Sequence, residues 1–245
     1  MKLFISILLL QFSVTCFADD VTMAFGEAIP PFSFPDSDTG IEIEVISEAL
    51  AFHNHILKPL YVPLARVPLA FRGRDVDAAM TDLGQDFWAI GAVYGDPAVT
   101  YDNVFITIKS KKRIIEKPRD LLGLTVVSFQ GAIKRYPKWL DPVAEVGHYF
   151  ELNNQLLQVL TLNKERYEVV LSDKSIFQYY TLQAQKESGK KLKEVQLHRF
   201  TTPNPNDYRP VFWNKQIRDD FNEGLADMKQ SGRYQAIYDK YLKEE

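Results

Sequence analysis

At 245 residues, 46% of them apolar, the chain has material for one large folded unit or two smaller ones. Its 29 Lys and Arg against 32 Asp and Glu leave a formal charge of −3, and no basic run is dense enough to suggest nucleic acid as a partner. The single cysteine, Cys16, excludes a disulfide framework.

Met1 to Ala18 has the layout of a secretory signal: Lys2, an apolar stretch from Leu3 to Leu10, and Cys16-Phe17-Ala18 as a small-x-small cleavage site. The mature chain is therefore expected in the periplasm, without a thiol. The apolar stretch falls short of the about 20 residues a membrane-spanning helix needs. Lipid anchoring at Cys16 is disfavoured because Thr15 is bulky for the position before an acylated cysteine.

Val21 to Phe25 reads as a strand, and Ile29-Pro30-Pro31-Phe32 as a turn that cannot be helical. Ile43, Ile46, Ala49 and Leu50 place a helix over Glu42 to Phe52, followed by a strand over Leu57 to Val62. A helix over Ala65 to Arg72, with Gly73 at its end, returns to a strand over Asp75 to Met80. Val104 to Ile108 and the Lys109 to Arg113 run read as a crossover, the run being a solvated loop between domains. The pattern then restarts, with strands over Leu122 to Phe129 and Tyr167 to Leu171 and helices over Lys134 to Leu140 and Leu152 to Leu162. This alternation predicts α/β lobes, each a mostly parallel sheet covered by helices.

Pro68 to Asp82 and Val159 to Asp173 superpose without gaps as helix end, polar turn, apolar strand and hydroxyl-aspartate. That places Thr81-Asp82 and Ser172-Asp173 at the carboxyl ends of equivalent strands, where open parallel sheets hold ligands. The last segment is a capped helix, from Asn214 through Ile217, Phe221, Leu225 and Met228 to Gly232, then a second helix with Tyr234, Ile237, Tyr238 and Tyr241 on its apolar face.

The ordered tail, Asn222, Leu225, Ser231-Gly232-Arg233-Tyr234 and Ile237-Tyr238-Asp239-Lys240-Tyr241, resembles that of bacterial extracellular solute-binding proteins of family 3, the amino-acid-type receptors of ABC importers. Ile29-Pro30-Pro31-Phe32, Gly40-Ile41-Glu42-Ile43-Glu44, Leu69 to Met80, Asp96-Pro97 and Asp120 to Val126 are similar to further elements of that family, in order, over nearly the whole mature chain. The resemblance implies a type II periplasmic-binding-protein-like fold with a ligand cleft between two lobes. The expected division is a signal at 1–18, lobe 1 at 19–107 with 203–245, and lobe 2 at 108–202.

The match is incomplete at the cleft. The family's Thr-x-x-Arg clamp corresponds to Asp82 to Ala89, which holds no arginine, and Arg66 resembles an alternative Pro-Trp-x-Arg position. Asp173 matches the family's ammonium-binding aspartate and is also placed to cap a helix starting at Lys174. Phe129-Gln130-Gly131 matches a loop whose backbone N–H groups receive an anionic ligand group. The expected ligand-binding set is Asp173, Arg66, Asp82, Phe32, Ile29, Glu27, Gly84, Trp88, Phe129, Gln130, Gly131 and Ser172, with Phe87 as a further stacking wall. Asp82 and Asp173 without the clamp arginine point to an amine-bearing or cationic solute.

The expectation is a monomeric binding protein, without cofactor or metal, that hands a small solute to a membrane permease. The alternative is a periplasmic sensor or adaptor with the same fold. An enzyme using Asp82 and Asp173 as acid and base ranks third. His53-Asn54-His55 and Asp36 to Gly40 read as surface features rather than metal loops.

Overall fold

The computed structural model describes residues 19–81, 86–204 and 207–243; the signal reading, Asp82 and Gly84 lie outside them. Two five-stranded sheets share one plan. In the first, β1 (Asp20–Phe25) lies between β2 (Ile56–Tyr61) and β3 (Ala78–Thr81), all parallel. Antiparallel β10 (Arg209–Phe212) and β4 (Val93–Tyr94) complete the order β2-β1-β3-β10-β4.

In the second sheet, β6 (Val126–Ser128) lies parallel between β7 (Tyr149–Glu151) and β8 (Val169–Asp173). Antiparallel β5 (Asn103–Ile108) and β9 (Val195–His198) give the order β7-β6-β8-β5-β9. β3 and β8 hold the same rank in their sheets, as the internal sequence correspondence required. Each sheet therefore has three parallel strands followed by a strand that has crossed from the other side.

The expected lobe boundary at residue 107 puts β5 in the first lobe, yet β5 pairs on both edges within the second sheet. The chain crosses before it, over 95–102, and returns over 199–208. Every residue of β5 is buried, with Phe105 facing one core cluster and Val104, Ile106 and Ile108 the other, because both faces are covered. The Lys109–Arg113 run is not an interdomain loop either. Its cations lie on the second lobe, where Lys109 meets Glu194 at 2.9 Å, Lys111 meets Glu165 at 2.6 Å, and Arg113 pairs with Glu168.

Helices α1 (Ile41–Ala51) and α2 (Val67–Arg72) cover the first sheet with α7 (Lys215–Ser231) and α8 (Arg233–Leu242). The second carries α3 (Ala132–Arg135), α4 (Pro137–Glu145), α5 (Gln155–Asn163) and α6 (Lys174–Ser188). α7 starts at Asn214, whose side chain accepts from the Gln216 and Ile217 N–H groups, and ends at Gly232 with φ +81°. Its buried face is Ile217, Phe221, Gly224, Leu225 and Met228.

The tail's ordered residues hold the first lobe together. Tyr241 Oη accepts from the Gly40 N–H at 2.9 Å and donates to Glu44. Arg233 grips Glu48 with two bonds of 2.9 and 2.7 Å, and Asn222 Oδ1 accepts from the Asp96 N–H at 2.8 Å. Gly40 itself has φ +123°, and a Cβ there would lie 2.4 Å from the Phe32 carbonyl oxygen, so the Pro-Phe turn packs directly on the start of α1. The paired histidines are not merely superficial: His53 meets Glu223 at 3.0 Å, and His55 is buried with its Nε2 3.0 Å from Asp220.

A Cβ at Gly224 would sit 2.0 Å from the Ala49 carbonyl oxygen, so α7 and α1 touch backbone to backbone. Gly224→Ala gains about 1 kcal/mol of helix propensity but forces these helices apart, and overpacking of this kind costs about 1–3 kcal/mol or more. Urea unfolding should show a net loss of stability; an unchanged midpoint would mean the helices are free to separate.

Candidate functional site

At the carboxyl ends of β1 and β3, beside the start of α1, lies a cavity of about 100 Å³ lined by Gly26, Glu27, Ile29, Ser33, Glu42, Leu64, Met80, Tyr101 and Tyr208. Its position follows from the sheet: parallel strands end together and their loops diverge, leaving a crevice above them. Ile29, Leu64 and Met80 form an apolar wall, and Glu27 and Glu42 bring two carboxylates. No lysine or arginine is among the described residues that line it.

Tyr101 and Tyr208 come from the two crossovers and meet with ring centroids 4.1 Å apart. Phe32, fully buried, stacks beneath Tyr101, also at 4.1 Å. On the other side, the guanidinium of Arg135, from α3 of the second lobe, lies 5.8 Å from the Tyr208 ring centre and its Nη2 is 3.8 Å from Asp207. A column Phe32, Tyr101, Tyr208, Arg135 thus runs from one lobe to the other past the cavity.

The Tyr101 hydroxyl donates to Glu42 Oε2 at 3.4 Å. Burial, reinforced by Glu42, Tyr208 and Asp173, pushes its pKa well above the ordinary value of 10, so it remains a donor throughout the physiological range. Ser33 is buried and its Oγ has no partner.

The expected site residues divide. Glu27 and Ile29 line the cavity. Phe32 does not reach it, and supports Tyr101 from below. Arg66, in a short 3-10 turn two residues past Leu64, is exposed and does not line it. Trp88 is 57% exposed, with its ring 5.5 Å from that of Tyr94. Phe87 is core, wedged against Phe71, so it stacks on no ligand.

In the second lobe, Phe129 is half-buried against the core and Gln130 is exposed. The Gly131 N–H does not point to open space. It donates to Glu151 Oε2 at 2.9 Å, the Ile133 N–H donates to Glu151 Oε1 at 3.5 Å, and the Tyr149 hydroxyl donates to the same Oε1 at 2.7 Å. Burial acts to raise the pKa of Glu151, but these donors, led by Gly131, outweigh it and hold the carboxyl below the ordinary range.

Ser172 is buried, its Oγ donating to the Asp173 carbonyl at 3.2 Å. Asp173 caps α6, with Oδ1 accepting from the Ser175 and Ile176 N–H groups at 2.8 and 3.0 Å. Its Oδ2 accepts from the Asp102 N–H at 2.6 Å, which ties the cap to the first crossover. The neighbouring Asp102 carboxylate lies 3.0 Å from Lys174 and 3.4 Å from Arg199.

Sequence reasoning missed Gly26, Ser33, Glu42, Leu64, Met80, Tyr101 and Tyr208 as cavity residues. Glu42 had a signal, the glutamate at the acidic position of the Gly40 helix start. The tyrosines had none, because their pairing joins residues 107 positions apart in crossovers without a periodic pattern.

No protein-family model matches the sequence, and comparison with curated proteins gives no match. Solved structures do match. The second substrate-binding domain of GlnP from Lactococcus lactis, in an open conformation, superposes with a TM-score of 0.67 at 20% identity, over 93% of this chain and 97% of that one. The second substrate-binding domain of a putative amino acid ABC transporter from Streptococcus pneumoniae gives 0.65 at 21%, over 91% and 100%. An arginine 3rd transport system periplasmic binding protein from Legionella pneumophila gives 0.58 at 18%, over 91% and 100%. The chain shares the two-lobed α/β fold of these structures. Within that fold, the cavity lies on the first lobe, and Arg135 of the second lies over the ring of Tyr208, one of its lining residues.

Burial raises the pKa of Asp173 from 3.8 to about 6, against the pull of its three N–H donors. The folded state therefore holds this proton more tightly than the unfolded chain. Its contribution is most favourable below pH 4 and is lost as pH rises to about 6. Asp173→Asn keeps an acceptor for α6 and removes that dependence. Relative to wild type it should gain up to about 3 kcal/mol between pH 4 and pH 7, read by urea unfolding at both values; parallel stability profiles would contradict the raised pKa.

Proposed function

We propose that the chain is an extracytoplasmic solute-binding protein of the family 3 kind, which closes its lobes over a small polar solute and presents it to an ABC importer. The observation that carries this reading is the cavity at the carboxyl ends of β1 and β3, lined by Tyr101 and Tyr208 of the two crossovers, with Arg135 of the opposite lobe over the Tyr208 ring. The printed descriptions of the similar structures, as substrate-binding domains of amino acid transporters and an arginine transport protein, support it. No helix among the described residues is long and apolar enough to cross a membrane. Export rests on the signal read at 1–18, and monomeric action on the fold's need for only two lobes.

In this reading the first lobe takes the chain from residue 19 to the crossover before Asn103 and again from the return crossover to the end. The second takes β5 to β9. Closure is a hinge motion about the crossovers, driven by the solute's higher affinity for the closed form. The proposed ligand contacts are Glu27, Ile29, Ser33, Glu42, Tyr101 and Tyr208. No step of chemistry is proposed, since Asp173 is already engaged by three backbone donors. The lack of a cation among the described residues of the cavity wall favours, as a second reading, a sensor or adaptor that reports to a signalling partner.

The test is a thermal-shift panel of amino acids, polyamines, organic acids and short peptides on the mature protein, followed by small-angle scattering. A solute at about 100 times its dissociation constant should add ~2.7 kcal/mol of stability and reduce the radius of gyration. Silence across the panel would favour the sensor or adaptor.

A further inference from the structure

We propose that the buried pair Asp102 and Asp173 makes the pivot between the lobes proton-operated: the charged pair ties the first crossover to α6 through the Asp102 N–H, and one proton on the pair releases that tie. The inference goes beyond the solute-binding reading. It rests on the lobe movement of that reading and on no property of the solute.

Two lobes turn about the segments that pass between them, and Asp102 stands in the first of these, directly before β5. It is joined to the start of α6 in both directions. Its N–H donates to Asp173 Oδ2 at 2.6 Å, its carbonyl accepts from the Lys174 N–H at 3.0 Å, and its Oδ2 lies 3.0 Å from the Lys174 ammonium. From the return crossover, Arg199 approaches the same Oδ2 at 3.4 Å. Both crossovers therefore meet the second lobe at one pair of carboxylates. Just before Asp102 in the chain, Tyr101 lines the cavity and the Thr100 N–H donates to the Tyr238 hydroxyl of α8 at 3.5 Å. A shift of this short stretch would move a wall of the cavity together with the lobes.

Both carboxylates are buried, and Asp102 Oδ1 has no partner among the described residues. Of the four oxygens in the pair, three have donors and one has none, and a buried anion short of a donor favours taking up a proton. Burial, helped by the charge of Asp102, raises the pKa of Asp173 to about 6 against its three N–H donors. Two of those donors, at Ser175 and Ile176, need Oδ1 as the cap of α6. Oδ2 is the oxygen that can carry a proton at the loss of a single bond, and that bond comes from the Asp102 N–H. An O–H at that place is a donor where an acceptor stood, so the backbone tie is lost as pH falls through about 6.

The other groups that face the pair do not titrate with it. Tyr101 in the crossover and Tyr238 from α8 have hydroxyls raised above the ordinary value of 10 by burial, with the charge of Asp173 adding to it. Lys174 and Arg199 bring positive charge to Asp102 Oδ2, and Asn103, opposite Asp173 across β5 and β8, is neutral.

Spin labels on Leu69→Cys and Val146→Cys, both exposed and one on each lobe, report the interlobe distance in the mature chain without any solute. The distance distribution should be broader at about pH 5 than at about pH 8, with a midpoint near 6, and the Asp102 amide resonance should titrate with the same midpoint. Asp173→Asn, whose amide keeps the α6 cap and turns a donor toward the Asp102 N–H, should give the low-pH distribution at every pH. Asp102→Asn removes the neighbouring charge and should lower the midpoint by about 0.5 or more; it decides alone if Asp173→Asn does not fold. A distribution unchanged from about pH 5 to about pH 8, an Asp102 amide that does not titrate, pH dependence that survives Asp173→Asn, or a midpoint unmoved or raised in Asp102→Asn would overturn the proposal. A silent solute panel would count against the solute-binding reading and leave this result standing.

Discussion

The contact of Tyr101 with Tyr208 is the constraint on which the rest of the arrangement depends. Each tyrosine belongs to one of the two segments that pass between the sheets, so their stack fixes the crossovers against each other. Phe32 beneath them ties this pair to the core of the first lobe, and Arg135 above brings in the second. Aromatic pairs at such distances contribute about 0.5–1.5 kcal/mol beyond their buried area, enough to favour one arrangement of the two crossovers. The cavity exists because β1 and β3 end below this column and the Pro-Phe turn closes its side.

The tail serves the same construction from behind. α8 reaches the start of α1 through Tyr241 and Lys240, both on Glu44, and its Tyr238 hydroxyl accepts from the Thr100 N–H in the first crossover at 3.5 Å. Gln178 of α6 donates to the Leu242 carbonyl at 2.6 Å, while Phe34 of the first lobe lies between Tyr241 and Tyr179 at 5.9 and 5.8 Å. The last helix is therefore a brace across both lobes. This explains why its tyrosines occur in a fixed order that an apolar stripe alone does not require.

Charge is distributed with a similar division of labour. On the second lobe, Lys109, Lys111, Arg113 and Lys193 are paired with Glu194, Glu165 and Glu168. Asp102, by contrast, sits buried in the first crossover, with Lys174 and Arg199 on one oxygen and no partner on the other among the described residues. The Glu151 carboxylate accepts from the Gly131 and Ile133 N–H groups within the second lobe, and the cavity of the first lobe is lined by two glutamates.

Local periodicity and end signals determined the elements: the alternation of strands and helices, the caps at Asn214 and Gly232, and the repeat that puts β3 and β8 at the same rank are all properties of near neighbours along the chain. The Asp173 cap was legible for the same reason, since a cap needs only the next three residues. What only the tertiary structure decided is whatever joins distant segments. β5 changed lobes because its partners, β8 and β9, come much later in the chain, and strand pairing cannot be read from one strand. Phe32 and Phe87 became core, and Tyr101 with Tyr208 became cavity wall, because burial depends on which surfaces meet. Glu151 likewise had no signal until folding brought the end of β7 against Gly131, to which it is joined by a hydrogen bond across 20 residues.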